Sequence, residues 1–313
     1  YISDDGKTGT VIEINCETDF VAKNPEFKKF VQQIGEYILQ SDVQDVSSLL
    51  ASPWKHGEFT TVEEALKGKI ALYGENMRIR RFVKFSSGEG KFLQKYVHGE
   101  TSSTTARIAV LTEIEGELSD TTLEAAKNIC MQITVNRPEF VSKEEIPESR
   151  ISEEREIIKE QTIKAEEDEA KQKKLMQITG LAVAHAARAL RETNGNLNAA
   201  LEQLIEKGLI EDAGKLEAAK KATSETLTAA SSKPEQVILK IVEGKLAKRV
   251  KEICLLDQVY IKDSELNVAQ YLDKFNKENG VSIKVTRFAA FEKGEGIEKK
   301  EDNFADEVNK MIG

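Results

Sequence analysis

The residue types that most often bind metal are few in this sequence and widely separated. The three histidines lie in three different segments: His56, His98 and His185. None has a second histidine or a cysteine at the spacing of a zinc site, so we expect no metal site. The three cysteines form no C-x-x-C pair, and their odd number argues against a disulfide framework: Cys16, Cys130 and Cys254. We expect them to be buried thiols in a reducing compartment.

Motifs for nucleotide binding or covalent catalysis are also missing from the sequence. Ser87-Gly-Glu-Gly-Lys91 is superficially similar to a phosphate-binding loop, but it lies between two predicted strands. A hairpin turn is its expected use. The sequence has no G-x-x-x-x-G-K-[ST], G-x-S-x-G or H-E-x-x-H motif. We therefore expect no catalytic residues, no cofactor and no enzymatic activity.

One short segment, Glu17-Thr-Asp-Phe-Val-Ala22, permits a functional interpretation. It follows a predicted strand and precedes a predicted helix. Thr18 can cap that helix, and Phe20 can pack beneath it, which would be a purely structural use. Alternatively, Asp19 and Phe20 project from the turn as a charge beside an apolar wedge. Composition alone favours the structural use.

Composition restricts the partners. The chain has 313 residues and a net charge of -9, and an acidic surface repels phosphate backbones, so we expect no direct nucleic-acid binding. No apolar run approaches the roughly 20 residues that span a bilayer, and the start of the sequence shows no secretory signal. We expect no membrane association.

Apolar spacing predicts an α+β core in two halves. In the first half, strand Gly9–Asn15 is followed by a helix from Phe20 to Ile38, a helix over Val62–Tyr73, and strands over Asn76–Phe85 and Phe92–His98. In the second half, a strand over Ala106–Ile114 precedes a helix over Leu123–Thr134. Asn24-Pro-Glu-Phe27 and Arg137-Pro-Glu-Phe140 suggest that the halves are related, although coincidence explains them equally well.

Beyond Ser142 the charge density rises, which predicts a helix that pairs along a narrow seam. Helix Pro234–Glu252 is its expected antiparallel partner. The stretch between them is rich in Ala and Leu, and Asn196 can cap a helix there that Gly208 closes. The tail predicts strands over Cys254–Lys262 and Ser282–Phe291, with a terminal helix beyond them.

These patterns predict five structural parts. The ranges are residues 1–98 for a first core subdomain, 99–142 with 253–298 for a second, 143–175 with 232–252 for a protruding helical hairpin, 176–231 for an inserted helical module, and 299–313 for a C-terminal helix.

Five segments in order resemble the elongation factor Ts family. They are Asn15–Lys23, Gly74–Arg81, Pro138–Phe140, Lys233–Glu235 with Ile241–Gly244, and Gly294–Lys299 followed by Asn303–Val308. The resemblance covers residues 1 to about 165 and 232 to 313. It implies a two-subdomain core and a guanine nucleotide exchange factor for elongation factor Tu.

The resemblance also implies site residues. Thr18, Asp19, Phe20 and Val21 would approach the magnesium and phosphate site of elongation factor Tu and promote release of GDP. A second contact surface would include Ala109, Gln132, Ile261, Phe304 and Met311. Gln132 stands where well-known bacterial members have a histidine, and Ala109 where they have a glycine.

The order of the modules departs from the family pattern. Family members carry a helical module resembling ubiquitin-associated domains before the core, whereas Thr179–Leu190 and Asn194–Leu197 resemble that module between the hairpin arms. It is a diverged second copy, a relocated module or an unrelated insert.

The resemblance implies binding to the GDP-bound and nucleotide-free forms of elongation factor Tu, in a bacterial cytoplasm or an organelle matrix or stroma. The alternatives are a binding adaptor that uses the inserted module, with exchange lost or secondary, and an assembly protein that self-associates through the charged hairpin.

Overall fold

The computed structural model describes residues 1–102, 105–210 and 234–297 and has an α+β fold, as the sequence predicts. The chain forms two compact units. The first, the core unit, contains Tyr1–Lys143 and the residues from Glu252 onward, and the second, the helical unit, contains Glu144–Lys251.

The core unit begins with a two-stranded antiparallel sheet and the helices that connect its strands. The elements are β1 (Thr8–Cys16), α1 (Asp19–Lys23), α2 (Pro25–Gln40), α3 (Val46–Leu50), α4 (Val62–Tyr73) and β2 (Met77–Ser86). The apolar faces of α2 and α4 meet the sheet around the fully buried Ile34, Ile38 and Val62. This first core therefore lies directly beneath the turn that joins β1 to α1.

A prediction that needs correction is the single helix from Phe20 to Ile38. The structure divides it at Asn24, whose extended backbone ends α1 and whose side-chain oxygen accepts a hydrogen bond from Glu26 N at 2.8 Å. Pro25 occupies the first turn of α2, where its missing N–H costs nothing. The axis of the short α1 can therefore differ from that of α2.

The rest of the core unit is organised around a three-stranded antiparallel sheet of order β3-β4-β7. The elements of this part of the core unit are β3 (Lys91–Ser102), β4 (Thr105–Glu115), α5 (Asp120–Asn136), β5 (Val259–Tyr260), β6 (Asp263–Asn267), α10 (Val268–Asn279) and β7 (Lys284–Glu292). Strands β5 and β6 form a separate two-stranded sheet. Helices α5 and α10 pack on this sheet around Ile129, Ile133 and Val268. The subdomain boundary predicted at residue 98 falls inside β3.

Two local predictions were wrong. Ser87–Lys91 does not close a hairpin, because β2 pairs with β1 and β3 pairs with β4, so this segment carries the chain between two sheets. Residues 254–262 are not one strand. Helix α9 (Glu235–Ile253) continues to Ile253, a 3-10 turn covers Leu255–Asp257, and only Val259–Tyr260 pairs with β6.

The two sheets pack face to face. Val11 and Phe85 of the first sheet contact Leu93, Leu111 and Ala289 of the second. Gly9 allows the close approach, because a Cβ atom added there would lie 2.9 Å from Leu93 Cδ1 and 3.0 Å from Leu111 Cδ1. The backbone of β1 is therefore fixed against the three-stranded sheet.

The helical unit contains a helical pair and a small module. Helix α6 (Glu148–Thr179) packs antiparallel on α9 around Ile158, Val242 and Leu246. Lys245 Nζ donates to Thr162 Oγ1 at 2.9 Å across the pair. Thr162 and Glu154 are buried in this seam although the arm is highly charged.

The module consists of the end of α6 with α7 (Val183–Glu192) and α8 (Leu197–Glu206). Leu175, Ala186 and Leu201 form its core, so the boundary predicted at residue 176 cuts through α6. Asn196 caps α8, as predicted, by accepting from Asn198 N and Ala199 N. The predicted C-terminal helix over residues 299–313 lies outside the described residues, as do residues 211–233.

Candidate functional site

The turn between β1 and α1 is held from two sides. Thr18 caps α1, as predicted, by accepting a hydrogen bond from Val21 N at 3.4 Å. Thr18 in turn donates to the carboxylate of Glu75, through its backbone N at 3.0 Å and its hydroxyl at 2.5 Å. Glu75 lies in the loop between α4 and β2, so these hydrogen bonds fix the turn to the loop that leads into β2. The position of Asp19 and Phe20 is therefore set by the core unit.

Asp19 and Phe20 lie at the surface of this anchored turn. The Phe20 residue is 83% exposed, and the Asp19 side chain is 59% exposed. Val21 is 7% exposed and packs into the first core. Since neighbouring helical residues point in different directions, burial of Val21 turns Phe20 outward. Val21 is predicted to belong to the contact surface; in the structure its side chain anchors α1 to the first core.

Asp19 carries its charge beside two lysines. It forms an i,i+4 ion pair with Lys23, and the hydrogen bond from Lys23 lowers the pKa of Asp19 below its ordinary value. The charge of Lys293, at the end of β7, acts weakly in the same direction. The turn therefore carries a negative charge at neutral pH beside the exposed Phe20.

A groove of about 360 Å³ runs from the turn along the three-stranded sheet. Thr18 and Asp19 line one part of it, while Ala109 of β4 and Lys293 line another. Ala109 was assigned to the second surface from the sequence. The structure places it in the groove that contains Asp19.

The predicted second surface centres on Ile261, which is 39% exposed. Gln132, which is predicted to belong to this surface, is fully buried, and its side chain bonds to residues of the loop around Ile261. Its Nε2 donates to Gln258 Oε1 at 3.1 Å and to Val259 O at 3.0 Å, and its Oε1 accepts from Ile261 N at 2.8 Å. Gln132 thus holds the loop that presents Ile261. Phe304 and Met311 lie beyond the described residues.

Comparison with known proteins agrees with the sequence motifs. A family model described as Elongation factor TS matches residues 17–180 and 196–295, which include Thr18, Asp19 and Phe20 of the turn, part of the groove lining and Ile261. The chain belongs to the elongation factor Ts family.

Curated elongation factor Ts proteins from bacteria match the full chain. The protein of Clostridium perfringens is 36% identical over 314 residues, covering 100% of this chain and 79% of the relative. That of Clostridium botulinum is 35% identical with the same coverages. That of Halothermothrix orenii is 33% identical over 312 residues, covering 100% of this chain and 78% of the relative. As a member of this family, the chain is a translation elongation factor.

Three residues near the site are not predicted from the sequence. Val259 is 58% exposed beside the buried Tyr260, and the alternation of a strand could have marked it as a surface residue. Glu75 anchors Thr18 from 57 residues away, and Lys293 acts on Asp19 from the end of β7. No local pattern connects either residue to the turn. Cys16 is only half-buried, in contrast to the expected burial of all three thiols.

No helix within residues 1–102, 105–210 and 234–297 has both the length and the apolar character needed to cross a membrane.

Replacing Gln132 by Ala should destabilise the protein by about 2 kcal/mol, because the N–H of Ile261 and the side chain of Gln258 lose a buried partner. Urea unfolding at pH 7 measures this effect. Asn128→Ala, on the same helix and bonded to Lys262 at the surface, is the control and should change stability by less than about 0.5 kcal/mol. Equal effects of the two variants would contradict the role given to Gln132.

Proposed function

We propose that this chain is a guanine nucleotide exchange factor that binds elongation factor Tu and promotes GDP release. The observation that carries the proposal is the exposed Phe20 beside the ionised Asp19 on an anchored turn. An aromatic side chain that is 83% exposed gains little from its own fold. It does, however, offer a large apolar surface to a partner.

The physical basis of exchange is linkage. A factor that prefers nucleotide-free elongation factor Tu must weaken that partner's hold on GDP by the same factor. An acceleration of about 10⁴-fold requires about 5.5 kcal/mol of coupling. In this proposal Phe20 enters the nucleotide domain of elongation factor Tu beside its magnesium site, and Asp19 disturbs the metal shell. A buried aromatic anchor contributes about 2–4 kcal/mol in typical interfaces.

The role of this chain is then to bind elongation factor Tu and to position Asp19 and Phe20, without catalytic residues or a cofactor of its own. The surface around Ile261 and Val259 supplies affinity away from the nucleotide. The nucleotide and the magnesium ion belong to the partner.

The direct test is the release of labelled GDP from elongation factor Tu with and without this protein. Release should accelerate with protein concentration and reach a plateau. An intact protein that forms a complex but leaves the release rate unchanged would overturn the proposal.

A second candidate function, a binding adaptor, is favoured by the module, whose core of Leu175, Leu190 and Leu201 belongs to the helical unit alone. We expect that replacing residues 180–233 by a short Gly-Ser linker leaves GDP release within about two-fold of the unchanged protein, since Asp19 and Phe20 lie in the core unit. Leu175→Ser should accompany the deletion, because the fully buried Leu175 loses its neighbours.

The unchanged protein is the reference for folding, and circular dichroism should show that the deletion variant is still folded. The adaptor function gains support if the deletion preserves exchange and removes binding to another protein. Loss of exchange on deletion would instead place the module in the exchange reaction.

A further inference from the structure

A ten-residue pattern occurs twice in the core unit, at the ends of two strands that lie in different sheets. Arg81–Gly90 and Arg287–Gly296 both read Arg-Phe-x-x-Phe-x-x-Gly-Glu-Gly. The first copy runs through β2 into the turn after it, and the second runs through β7 into the turn after it.

Each copy begins at a β-bulge that faces a buried glutamate. Glu13 of β1 pairs with Arg81, and the next pair is Ile14 with Ile79, so Arg80 is the extra residue. The bulge directs both guanidinium groups to one carboxylate, with Arg80 Nη1 at 3.0 Å and Arg81 Nε at 2.7 Å. Glu113 of β4 occupies the equivalent position opposite the extra residue Thr286 and opposite Arg287.

The two copies bind each other reciprocally. Arg81 stacks on Phe291 with its Cζ 4.2 Å from the ring centre, and Arg287 stacks on Phe85 at 4.3 Å. The turn after β7 reaches Glu13 through Gly294 N at 2.9 Å. The turn after β2 reaches Glu113 through Ser87 Oγ at 2.9 Å. Glu13 and Glu113 are therefore structural equivalents, with side chains 4% and 3% exposed.

The two carboxylates differ in what lies beside them. Glu13 lines the groove that contains Asp19, together with Lys293 and Gly294 of the turn that it binds. Glu113 does not line that groove. The charge of Lys293 also acts on Asp19, so the turn held by Glu13 is an electrostatic neighbour of the proposed exchange residue.

We propose that Glu13 is a positioning residue for exchange, which fixes the 293–296 turn against the groove wall and thereby fixes the surroundings of Asp19 and Phe20. The inference rests on the proposed function and deepens it. The carboxylate ties β1, β2 and the turn after β7 together at one point, three residues before β1 ends at Cys16. Glu295 adds a second tie, with its Oε2 2.8 Å from Arg81 Nη2. Glu113 makes comparable bonds but positions nothing beside Asp19.

The equivalence of the two glutamates supplies a matched control. Both Glu13→Gln and Glu113→Gln should lower the stability of the fold. Only Glu13→Gln should lower the plateau rate of GDP release from elongation factor Tu, by roughly tenfold, the scale of a misplaced contact group. The concentration of factor at half-maximal rate should change little, because the contacts around Ile261 are untouched. A general structural defect would lower activity equally in both variants.

A second pair of variants avoids the buried core in case the first pair folds poorly. Glu295→Ala removes the outer tie of the 293–296 turn, and Glu89→Ala changes its exposed counterpart in the other copy. Glu295→Ala should lower the plateau rate by about twofold to threefold, and Glu89→Ala should leave it unchanged. Equal plateau rates within both pairs, while the unchanged protein accelerates release, would overturn the positioning role. If the unchanged protein itself fails to accelerate release, the proposed function fails instead.

Discussion

Replacement of both Asp19 and Phe20 by Ala is expected to lower the plateau rate of GDP release from elongation factor Tu by roughly 100-fold, or about 2.7 kcal/mol. The affinity for nucleotide-free elongation factor Tu should fall less, because the surface around Ile261 remains. The stability of the protein should change by less than about 0.5 kcal/mol, since Phe20 is 83% exposed and makes few contacts within its own fold. Stopped-flow release of labelled GDP and calorimetric binding measure the two quantities.

The control for this double variant is Leu72→Ala. Leu72 is a large apolar residue on α4 that is 69% exposed, so its replacement removes comparable surface without touching the turn. Release should proceed at the unchanged rate in this variant. Equal losses of release rate and affinity in the double variant would contradict an exchange role, and would identify Asp19 and Phe20 as a simple anchor.

Elements that depend on local signals could be predicted from the sequence. The helix predicted over Val62–Tyr73 has those bounds, because Thr61 caps its start and Gly74 adopts the left-handed conformation at its end. The capping roles of Thr18 and Asn196 have the same local origin. These signals involve residues within one turn of each other, so no tertiary information is needed.

Strand pairing could not be predicted in the same way. β1 and β2 are separated by four helices, and β4 pairs with β7 from the far end of the core unit. The Asn24–Phe27 and Arg137–Phe140 segments misled the comparison of the two halves, because the first begins α2 and the second follows α5. The sequence does contain one signal, the repeated pattern at Arg81–Gly90 and Arg287–Gly296. It marks β2, the partner of β1, and β7, the partner of β4, as equivalent strands of the two sheets.

At the site, too, local signals predict some features and tertiary packing decides others. Phe20 and Val21 are adjacent apolar residues, and only packing against the first core decides that Val21 is buried and Phe20 exposed. The burial of Gln132 was predictable, because it shares a helical face with the buried Ile129 and Ile133. The helical period thus predicts burial for Gln132, whereas the resemblance to the family implies a contact role that stays a prediction.

Glu113→Gln is expected to give the largest loss of stability. Burial alone would raise the pKa of Glu113, but hydrogen bonds from Arg287, Thr286, Ser87 and Lys91 lower it from 4.5 to about 2. A folded-state pKa below the unfolded value stabilises the protein above pH ~4.5, and this contribution is lost as the pH falls toward 2. The shift corresponds to about 3 kcal/mol at pH 7, so the variant should lose about that amount there.

The measurement is urea unfolding of both proteins at pH 7, 5 and 3, because the difference between them isolates Glu113 from the other carboxylates. That difference should remain near its full value at pH 7 and 5 and shrink at pH 3, as the unchanged protein loses the same charge by protonation. Glu115→Gln, an exposed position on the same strand, should give a difference near zero throughout. A loss in Glu113→Gln that stays constant from pH 7 to 3 would show that packing of the side chain, and not its charge, joins β4 to β7 and to the turn after β2.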